Sequence, residues 1–432
     1  MKIKRLVLVN LFQTFTHDVI FNESGITIIT APNGYGKTVF LKVIDAIFNR
    51  QLSYLYELDF SDLLLETSCG DIRIEKTIGK TGAQLDVHLE NTNVSFKVNA
   101  RSFVRSERLI SRIDGYVPFL NRVGPQEWLD ERTDEIYSVE QVLLKFSEYL
   151  PREDISSIFP EEFLSFTDSL DTYFIQDQRL SQSYPAYRHP RRRAPVKTIE
   201  KYANELKEII DASSLNSSRV SQQLDSTFPV RLLDKKDIQL MNIEEIKNML
   251  FDLQKRRSEL SNLGLLSSEQ QVPQMASLET IEASDQKVLT LYVQDTLKKL
   301  NSYDDIYKKI DLFSRILNEK RLTFKKVQIN SEEGFYFETK TGNRLKLNQL
   351  SSGEQHQVVL LFELIFKAGK NTFVLIDEPE ISLHIAWQKE FLSDLNEIIS
   401  LHNYNVVIAT HSPQIINSNW ELTKDLALGV EE

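Results

Sequence analysis

The sequence predicts an α/β fold: a mixed sheet built around a glycine-containing loop, an antiparallel β layer beside it, and a helical insertion. Three observations support this class. A buried strand, a glycine-containing loop and an amphipathic helix follow one another within residues 26–48. A second buried strand ends in a group of carboxylates within residues 372–380. Stretches rich in Glu, Lys, Leu and Gln, with helical spacing, fill most of residues 198–320.

The bulk composition narrows the class of protein. The chain has 432 residues, a length that suits two or three domains or one large domain with an insertion. Its net charge is −11. An acidic chain gains no long-range attraction to DNA or anionic lipid, so nucleic-acid contact would need a local basic patch. The single cysteine, Cys69, excludes an internal disulfide and a thiolate-rich metal site. We expect a cytoplasmic protein with no membrane segment, since signal-peptide and membrane-spanning patterns are lacking.

The order of the predicted elements suggests two lobes separated by an insertion. We expect the N-terminal lobe over residues 1–194, the helical, short coiled-coil-like insertion over residues 195–320 and the C-terminal lobe over residues 321–432. Alternating patterns predict the antiparallel layer at residues 71–76, 84–89 and 94–98. Helical patterns in the insertion cover residues 198–210, 217–227, 243–260 and 278–320.

The glycine-containing loop reads Ala-Pro-Asn-Gly-Tyr-Gly-Lys-Thr at residues 31–38. Backbone N–H groups of such a turn wrap an anion, and the following helix N-terminus adds a partial positive charge. The pattern predicts an ATP site, in which Lys37 reaches the β- and γ-phosphates and Thr38 places its hydroxyl on Mg²⁺. Ala31 replaces the usual first glycine, and a chance turn is the alternative. The expected nucleotide contacts are Asn33, Gly34, Tyr35, Gly36, Lys37 and Thr38.

The second buried strand ends in Asp377, Glu378, Pro379 and Glu380. An open α/β sheet holds its ligands at the carboxyl ends of its strands. We therefore expect Asp377 to bind the Mg²⁺ shell and Glu378 to orient and deprotonate the attacking water. The alternative is an acidic turn that caps the following helix.

A turn of small residues, Leu-Ser-Ser-Gly-Glu at residues 350–354, precedes an apolar stretch. A helix N-terminus of this kind is a good anion site, although Ser-Ser-Gly caps are common. The turn resembles the signature motif of ABC ATPases, in which the signature of one head closes on the ATP held by another. This resemblance implies that Ser351 meets the γ-phosphate in trans. The corresponding residues are Ser351, Ser352, Gly353 and Glu354.

Two further strand ends resemble parts of ABC and SMC heads. The strand within residues 406–410 leads to His411, which is similar in place to the switch histidine that senses the γ-phosphate or fixes the attacking water. An apparent strand before the insertion leads to Gln176 and Gln178, where such heads place the glutamine loop. The resemblance implies that Gln178 contacts Mg²⁺ and the lytic water. A structural histidine and an ordinary polar strand end are the alternatives.

These motifs together resemble the ABC-type ATPase head. Residues 376–388, Ile-Asp-Glu-Pro-Glu-Ile-Ser-Leu-His-Ile-Ala-Trp-Gln, resemble more specifically the ATPases of bacterial antiphage systems of the PARIS, Septu and OLD groups. The likeness is greatest to the PARIS ATPase subunit, and residues 11–15, 174–180 and 410–414 share it. His384 departs from the pattern, because other ABC heads carry the D-loop aspartate there.

The resemblance implies a sensor and scaffold ATPase. Only a short segment follows His411, without room for the Toprim nuclease of OLD proteins, so we expect a separately encoded Toprim or HNH nuclease as effector. ATP-sandwiched heads imply a homodimer, with further assembly to a hexamer. The main alternative is a DNA-maintenance ATPase of the RecF or SMC kind, which shares all these motifs. A transporter subunit is disfavoured by the helical insertion.

A basic run stands out against the acidic chain. It begins at Arg188 and ends at Lys197, and it contains three consecutive arginines, Arg191 to Arg193. Such a run is often a solvated loop. The alternative is a site for an acidic partner, either nucleic acid or a phage-encoded trigger protein that imitates it.

Overall fold

A computed structural model describes most of the chain. The described residues are 1–79, 82–99, 110–111, 113–139, 141–142, 146, 149, 159–176, 198–233, 240–266, 283–381 and 383–429. The chain divides into two compact units, one made of Met1–Pro195 with Lys367–Glu432 and the other of Val196–Phe366. The second unit therefore extends past residue 320, where the sequence suggested that the insertion ends.

The strands and helices of the described residues are as follows. The strands are β1 Ile3–Leu11, β2 Phe15–Ile20, β3 Ile26–Thr30, β4 Asp62–Thr67, β5 Ile72–Gly79, β6 Gly82–Leu89, β7 Val94–Val98, β8 Leu120–Gly124, β9 Glu127–Asp130, β10 Glu135–Ser138, β11 Thr172–Ile175, β12 Lys325–Asn330, β13 Gly334–Thr339, β14 Arg344–Leu345, β15 Phe373–Asp377, β16 Asn405–Ala409 and β17 Thr423–Asp425. The α-helices are α1 Lys37–Phe48, α2 Leu52–Glu57, α3 Ile113–Tyr116, α4 Glu161–Asp168, α5 Thr198–Leu233, α6 Ile243–Asn262, α7 Ala283–Asn301, α8 Asp304–Arg315, α9 Ser352–Phe362, α10 Ile385–His402 and α11 Pro413–Ile416.

The centre of the first unit is a five-stranded parallel sheet with the order β11-β15-β16-β3-β17. Every residue of β15 is buried, which explains its nearly unbroken apolar sequence, because a parallel sheet is covered on both faces. Helix α1 carries fully buried Phe40, Leu41 and Ile44 at helical spacing in the same core. The sheet thus holds the glycine-containing loop between two well-packed elements.

The predicted antiparallel layer is a six-stranded sheet with the order β2-β1-β4-β5-β6-β7. Alternate residues of β4 are buried, so Leu63 and Leu65 enter the core while their neighbours stay partly exposed. Strands β8 to β10 form a separate three-stranded antiparallel sheet. The predicted antiparallel layer is therefore a sheet of its own, distinct from the sheet that carries the glycine-containing loop.

The second unit is mostly helical, so the predicted α/β class with a large helical insertion is confirmed. Helix α5 is continuous over 36 residues, across the two separate helical patterns in its sequence. Its Tyr202 stacks on Phe362 of α9, with ring centroids 4.5 Å apart, and donates a 2.6 Å hydrogen bond to Glu363. The small sheet β12-β13-β14 completes this unit. Every helix in the described ranges is too short or too polar to cross a lipid bilayer.

Candidate functional site

The carboxyl ends of the parallel strands bring three predicted segments to one edge of the sheet. In the strand register Asp377 lies beside Ala409, and Ala409 lies beside Ile29. The segments that follow β3, β15 and β16 must therefore emerge next to one another. These are the glycine-containing loop, the acidic strand end and the segment with His411.

The loop after β3 has the backbone of an anion cradle. Gly34 and Gly36 have φ angles of +90° and +82°, in the left-handed region that favours glycine. A Cβ on Gly36 would lie 2.9 Å from Leu11 Cδ2, so this position also needs a residue without a side chain. Helix α1 begins at Lys37, directly after Gly36, and its free N–H groups add to the attraction for a phosphate.

Lys37 is buried, and its ammonium group is already surrounded by acceptors. The Nζ atom donates to the carbonyls of Ala31 at 2.9 Å and Pro32 at 3.2 Å, and lies 3.3 Å from His411 Nδ1. Burial lowers the pKa of Lys37, while the negative charges of Glu378, Asp377 and Glu380 oppose that shift. The Lys37 ammonium group therefore lies near carboxylates and is available to bind an anion in the loop.

Thr38 and Asp377 supply oxygen atoms suited to Mg²⁺. The Thr38 hydroxyl donates to Asp377 Oδ2 at 2.8 Å, and the Asp377 side chain is buried. A hydroxyl and a carboxylate at a phosphate cradle are the oxygen ligands that Mg²⁺ uses beside nucleotide phosphates. The residues present therefore fit a Mg²⁺ ion.

Glu378 and His411 form a contact pair in front of Lys37. His411 Nε2 lies 3.1 Å from Glu378 Oε1, and the two side chains remain 31% and 28% exposed. A single neutral tautomer of His411 satisfies both neighbours: its Nε2–H donates to Glu378, and its Nδ1 accepts from Lys37. Glu378 has a φ of 41°, and its N–H donates to Ala409 O at 2.9 Å. The carboxylate expected to act as the base is thus one of the non-glycine residues held in the left-handed backbone region.

The signature segment lies in the second unit. Ser351 is the N-cap of α9, and its hydroxyl accepts from the Glu354 N–H at 3.3 Å. Glu354 Oε2 in turn accepts from the N–H of Ser351 at 2.8 Å and from its hydroxyl at 2.9 Å. This reciprocal capping box fixes the turn at the helix N-terminus.

Lys325 is a residue that the motifs did not reveal. It lies on β12, and its Nζ donates to both carboxylate oxygens of Glu354, at 2.9 and 2.7 Å. Burial would raise the pKa of Glu354, but the hydrogen bonds from Lys325 and Ser351 outweigh it and hold the pKa below its usual range. The acidic residue of the signature is therefore neutralised by a partner from another element.

Other predicted residues take different places. Gln178 and the basic run from Arg188 to Lys197 lie outside the described residues. Gln176 directly follows β11 and is exposed, one residue beyond the Ile175–Ile376 pair of the parallel sheet. His384 is the N-cap of α10, and its Nδ1 accepts from the Ala386 N–H at 3.3 Å.

The strand, loop and helix around Lys37, with the acidic strand end beside them, define a P-loop nucleotide-binding protein. The chain belongs to the AAA ATPase domain family, whose model matches residues 1–416. The chain therefore contains an ATPase domain by family, and nucleotide and Mg²⁺ are the ligands that this family implies.

Two curated relatives match shorter segments. Protein ea59 of Escherichia phage lambda is 30% identical over 123 residues, which are 28% of this chain and 23% of that protein. The DNA double-strand break repair Rad50 ATPase of Sulfurisphaera tokodaii is 27% identical over 135 residues, which are 30% of this chain and 14% of that protein. The matched segments thus span less than a quarter of the length of either relative.

Solved SMC heads show a weaker likeness over nearly the whole chain. The Smc head domain of Pyrococcus furiosus, bound to the C-terminal domain of ScpA, has a TM-score of 0.37 and 12% identity, covering 96% of this chain and 91% of that chain. The SMC head domain from Thermotoga maritima has a TM-score of 0.31 and 12% identity, covering 98% and 93%. At these scores the likeness carries no argument about this chain.

Proposed function

We propose that the chain is an ATP-hydrolysing head of the ABC type, with Glu378 as the general base and a second copy completing the site. The observation that carries the proposal is two groups of contacting side chains at the same sheet edge. Lys37 contacts His411, His411 contacts Glu378, and Thr38 contacts Asp377. A phosphate cradle, oxygen ligands and a carboxylate base within hydrogen-bond reach are the parts that hydrolysis of a phosphoanhydride needs.

Each group has a defined task in this proposal. Lys37 binds the β- and γ-phosphates, and Thr38 and Asp377 hold the metal. Mg²⁺, when bound, neutralises charge that develops on the phosphate oxygens. Glu378 accepts the proton of the attacking water, and His411 orients that carboxylate through its Nε2–H. Because His411 also contacts Lys37, it can report on whether Lys37 has turned to a phosphate.

The composite-site part of the proposal is supported by the signature segment. The N-terminus of α9 presents the partial positive charge of a helix end. Glu354 would offset that charge, but Lys325 neutralises its carboxylate through two short hydrogen bonds. The turn at Ser351 can therefore receive the γ-phosphate of ATP held by a second copy, in a symmetric homodimer.

Steady-state ATP hydrolysis tests the proposal. Glu378→Gln should bind ATP but hydrolyse it slowly, and should accumulate as an ATP-bound dimer in sedimentation experiments. Lys37→Ala should lose ATP affinity. Normal hydrolysis by the Glu378→Gln variant would remove Glu378 as the base, and unchanged ATP affinity in the Lys37→Ala variant would remove the loop as the site.

For the biological role, we propose a sensor and scaffold in antiphage defence that holds a separately encoded Toprim or HNH nuclease until a phage product appears. The support is the sequence resemblance of residues 376–388 and of the flanking motifs to antiphage ATPases. Replacing Arg191, Arg192 and Arg193 with Glu should abolish triggering but leave ATP binding intact. Unchanged phage protection in that variant would contradict a sensing role for the basic run.

A DNA-maintenance ATPase is the second candidate, favoured by the local match to a Rad50 ATPase. The two roles differ in what ATP controls. A DNA-maintenance head should bind duplex DNA in the presence of ATP, with an affinity that falls as salt rises. A defence scaffold should instead co-purify with the product of a neighbouring nuclease gene and release it on phage infection.

A further inference from the structure

Glu380, the second glutamate after the end of β15, has no part in the mechanism above, yet its carboxylate makes two close polar contacts at the sheet edge. Its Oε1 atom accepts a hydrogen bond from the Thr410 hydroxyl at 2.7 Å and another from the His411 N–H at 2.7 Å. Both donors belong to the segment that follows the neighbouring strand β16. One carboxylate oxygen thus joins the two strand ends that carry Glu378 and His411.

These contacts fix the backbone from which the His411 side chain extends. Thr410 is fully buried, and its hydrogen bond to the Glu380 carboxylate has a charged acceptor, which makes it stronger than a neutral one. Ser412, which follows His411, is also anchored, because its hydroxyl donates to Gln388 Oε1 at 2.6 Å. The segment is therefore held from two sides, and the His411 ring lies between the Lys37 ammonium and the Glu378 carboxylate.

The same contacts distinguish the roles of the two glutamates. Oε1 of Glu380 is occupied by two donors, and its Oε2 is shielded from solvent without a hydrogen-bond partner in the described part of the chain. A base must present an oxygen to water, which Glu380 does not do. The Glu378 carboxylate contacts the His411 imidazole and stays 28% exposed. Glu380 is therefore suited to hold its neighbours and Glu378 to react.

We propose that Glu380 is a positioning residue that sets the orientation of His411 toward Glu378 through its shared carboxylate oxygen. The proposal rests on the proposed function for its effect on hydrolysis. The positioning itself is a property of the nucleotide-free chain. A backbone N–H that loses its acceptor exchanges with solvent faster, so the His411 amide reports on this contact directly.

The test compares Glu380→Ala with Glu380→Gln, whose amide oxygen can accept from the same two donors. Hydrogen–deuterium exchange of a peptide spanning residues 410–412, in the nucleotide-free full chain, should accelerate about 10-fold or more in the Ala variant and stay near wild type in the Gln variant. The turnover number for ATP should fall about 10- to 100-fold in the Ala variant, with KM within about 2-fold, and recover mostly in the Gln variant. Glu421→Ala, an exposed glutamate of the same unit, is the matched control.

Three results would overturn the proposal. Unchanged exchange at residues 410–412 in the Ala variant would show that the contact does not hold the segment. Equal impairment of the Ala and Gln variants would show that charge, and not the shared acceptor, matters. A parallel loss of nucleotide affinity would indicate general damage to the site. If no variant and no wild-type preparation hydrolyses ATP while the exchange result holds, the proposed function fails and the positioning role stands.

Discussion

Replacing Lys325 with Met should leave the Glu354 carboxylate without its counter-charge at the N-terminus of α9. Lys325 donates to both oxygens of Glu354, and the two side chains are only 23% and 12% exposed. Met keeps most of the aliphatic volume of lysine and removes only the ammonium group. Glu354 then keeps its hydrogen bonds from Ser351 but loses its counter-charge at a site with little exposure to solvent.

The size of the effect follows from these contacts. A hydrogen bond to a charged group contributes about 1.5–3 kcal/mol, and removing one partner of a shielded pair leaves the other uncompensated. Because both groups retain some solvent, we expect Lys325→Met to lower the free energy of unfolding by about 2 kcal/mol. The double variant with Glu354→Gln should lose less, with a coupling of about 1–2 kcal/mol, since a neutral amide needs no counter-charge.

Urea unfolding of the single and double variants measures this coupling. Lys326→Met, an exposed lysine next along β12, is the matched control and should be neutral within about 0.5 kcal/mol. The folded pKa of Glu354 is depressed below its ordinary 4.5, so the pair stabilises the fold above that pH and the contribution is lost as the pH falls through the folded pKa. Additive effects of the two substitutions, or a difference between wild type and Lys325→Met that persists in acid, would refute the reasoning.

Three further variants test other parts of the site and core. Glu378→Gln should lower ATP turnover by about 100-fold or more while a fluorescent ATP analogue still binds; equal loss of binding would contradict a base. Gly36→Ala should weaken nucleotide binding, because φ is +82° and the new Cβ would lie 2.9 Å from a Leu11 methyl; the control Gly342→Ala, at φ +80° with open space, should leave binding unchanged. Arg50→Met should lower the unfolding free energy by about 2–4 kcal/mol in chemical denaturation, because buried Arg50 donates to the Thr167 hydroxyl at 2.8 Å; an unaltered midpoint would contradict this.

The elements around Lys37 and Glu378 could be predicted because their signal is local. Each lies directly after a buried apolar strand, and parallel strands deliver such ends to one edge of a sheet. Helix α1 could also be predicted from the sequence, because Phe40, Leu41 and Ile44 follow the helical period, and all three are buried.

Other features depend on pairings that no local pattern contains. Glu380 contacts Thr410 across 30 residues, and Lys325 contacts Glu354 across 29. The local sequence around one partner therefore does not predict the other. In the sequence, the strands after residue 320 look like a return to the first sheet, but they pair among themselves as β12-β13-β14 and belong to the second unit. Strand-like periodicity predicts a strand but does not say which sheet it joins.

The composite site is the central claim, and a mixture of two inactive variants tests it most directly. Lys37→Ala removes the phosphate-binding lysine of the loop, and Ser351→Arg blocks the signature turn. Each variant alone should therefore lack ATP hydrolysis. If one copy supplies the loop and another the signature, an equal mixture should recover about a quarter of wild-type hydrolysis, because half of randomly formed dimers are mixed and each mixed dimer has one intact site. A mixture as inactive as its components, under conditions where labelled copies are seen to exchange, would contradict the account.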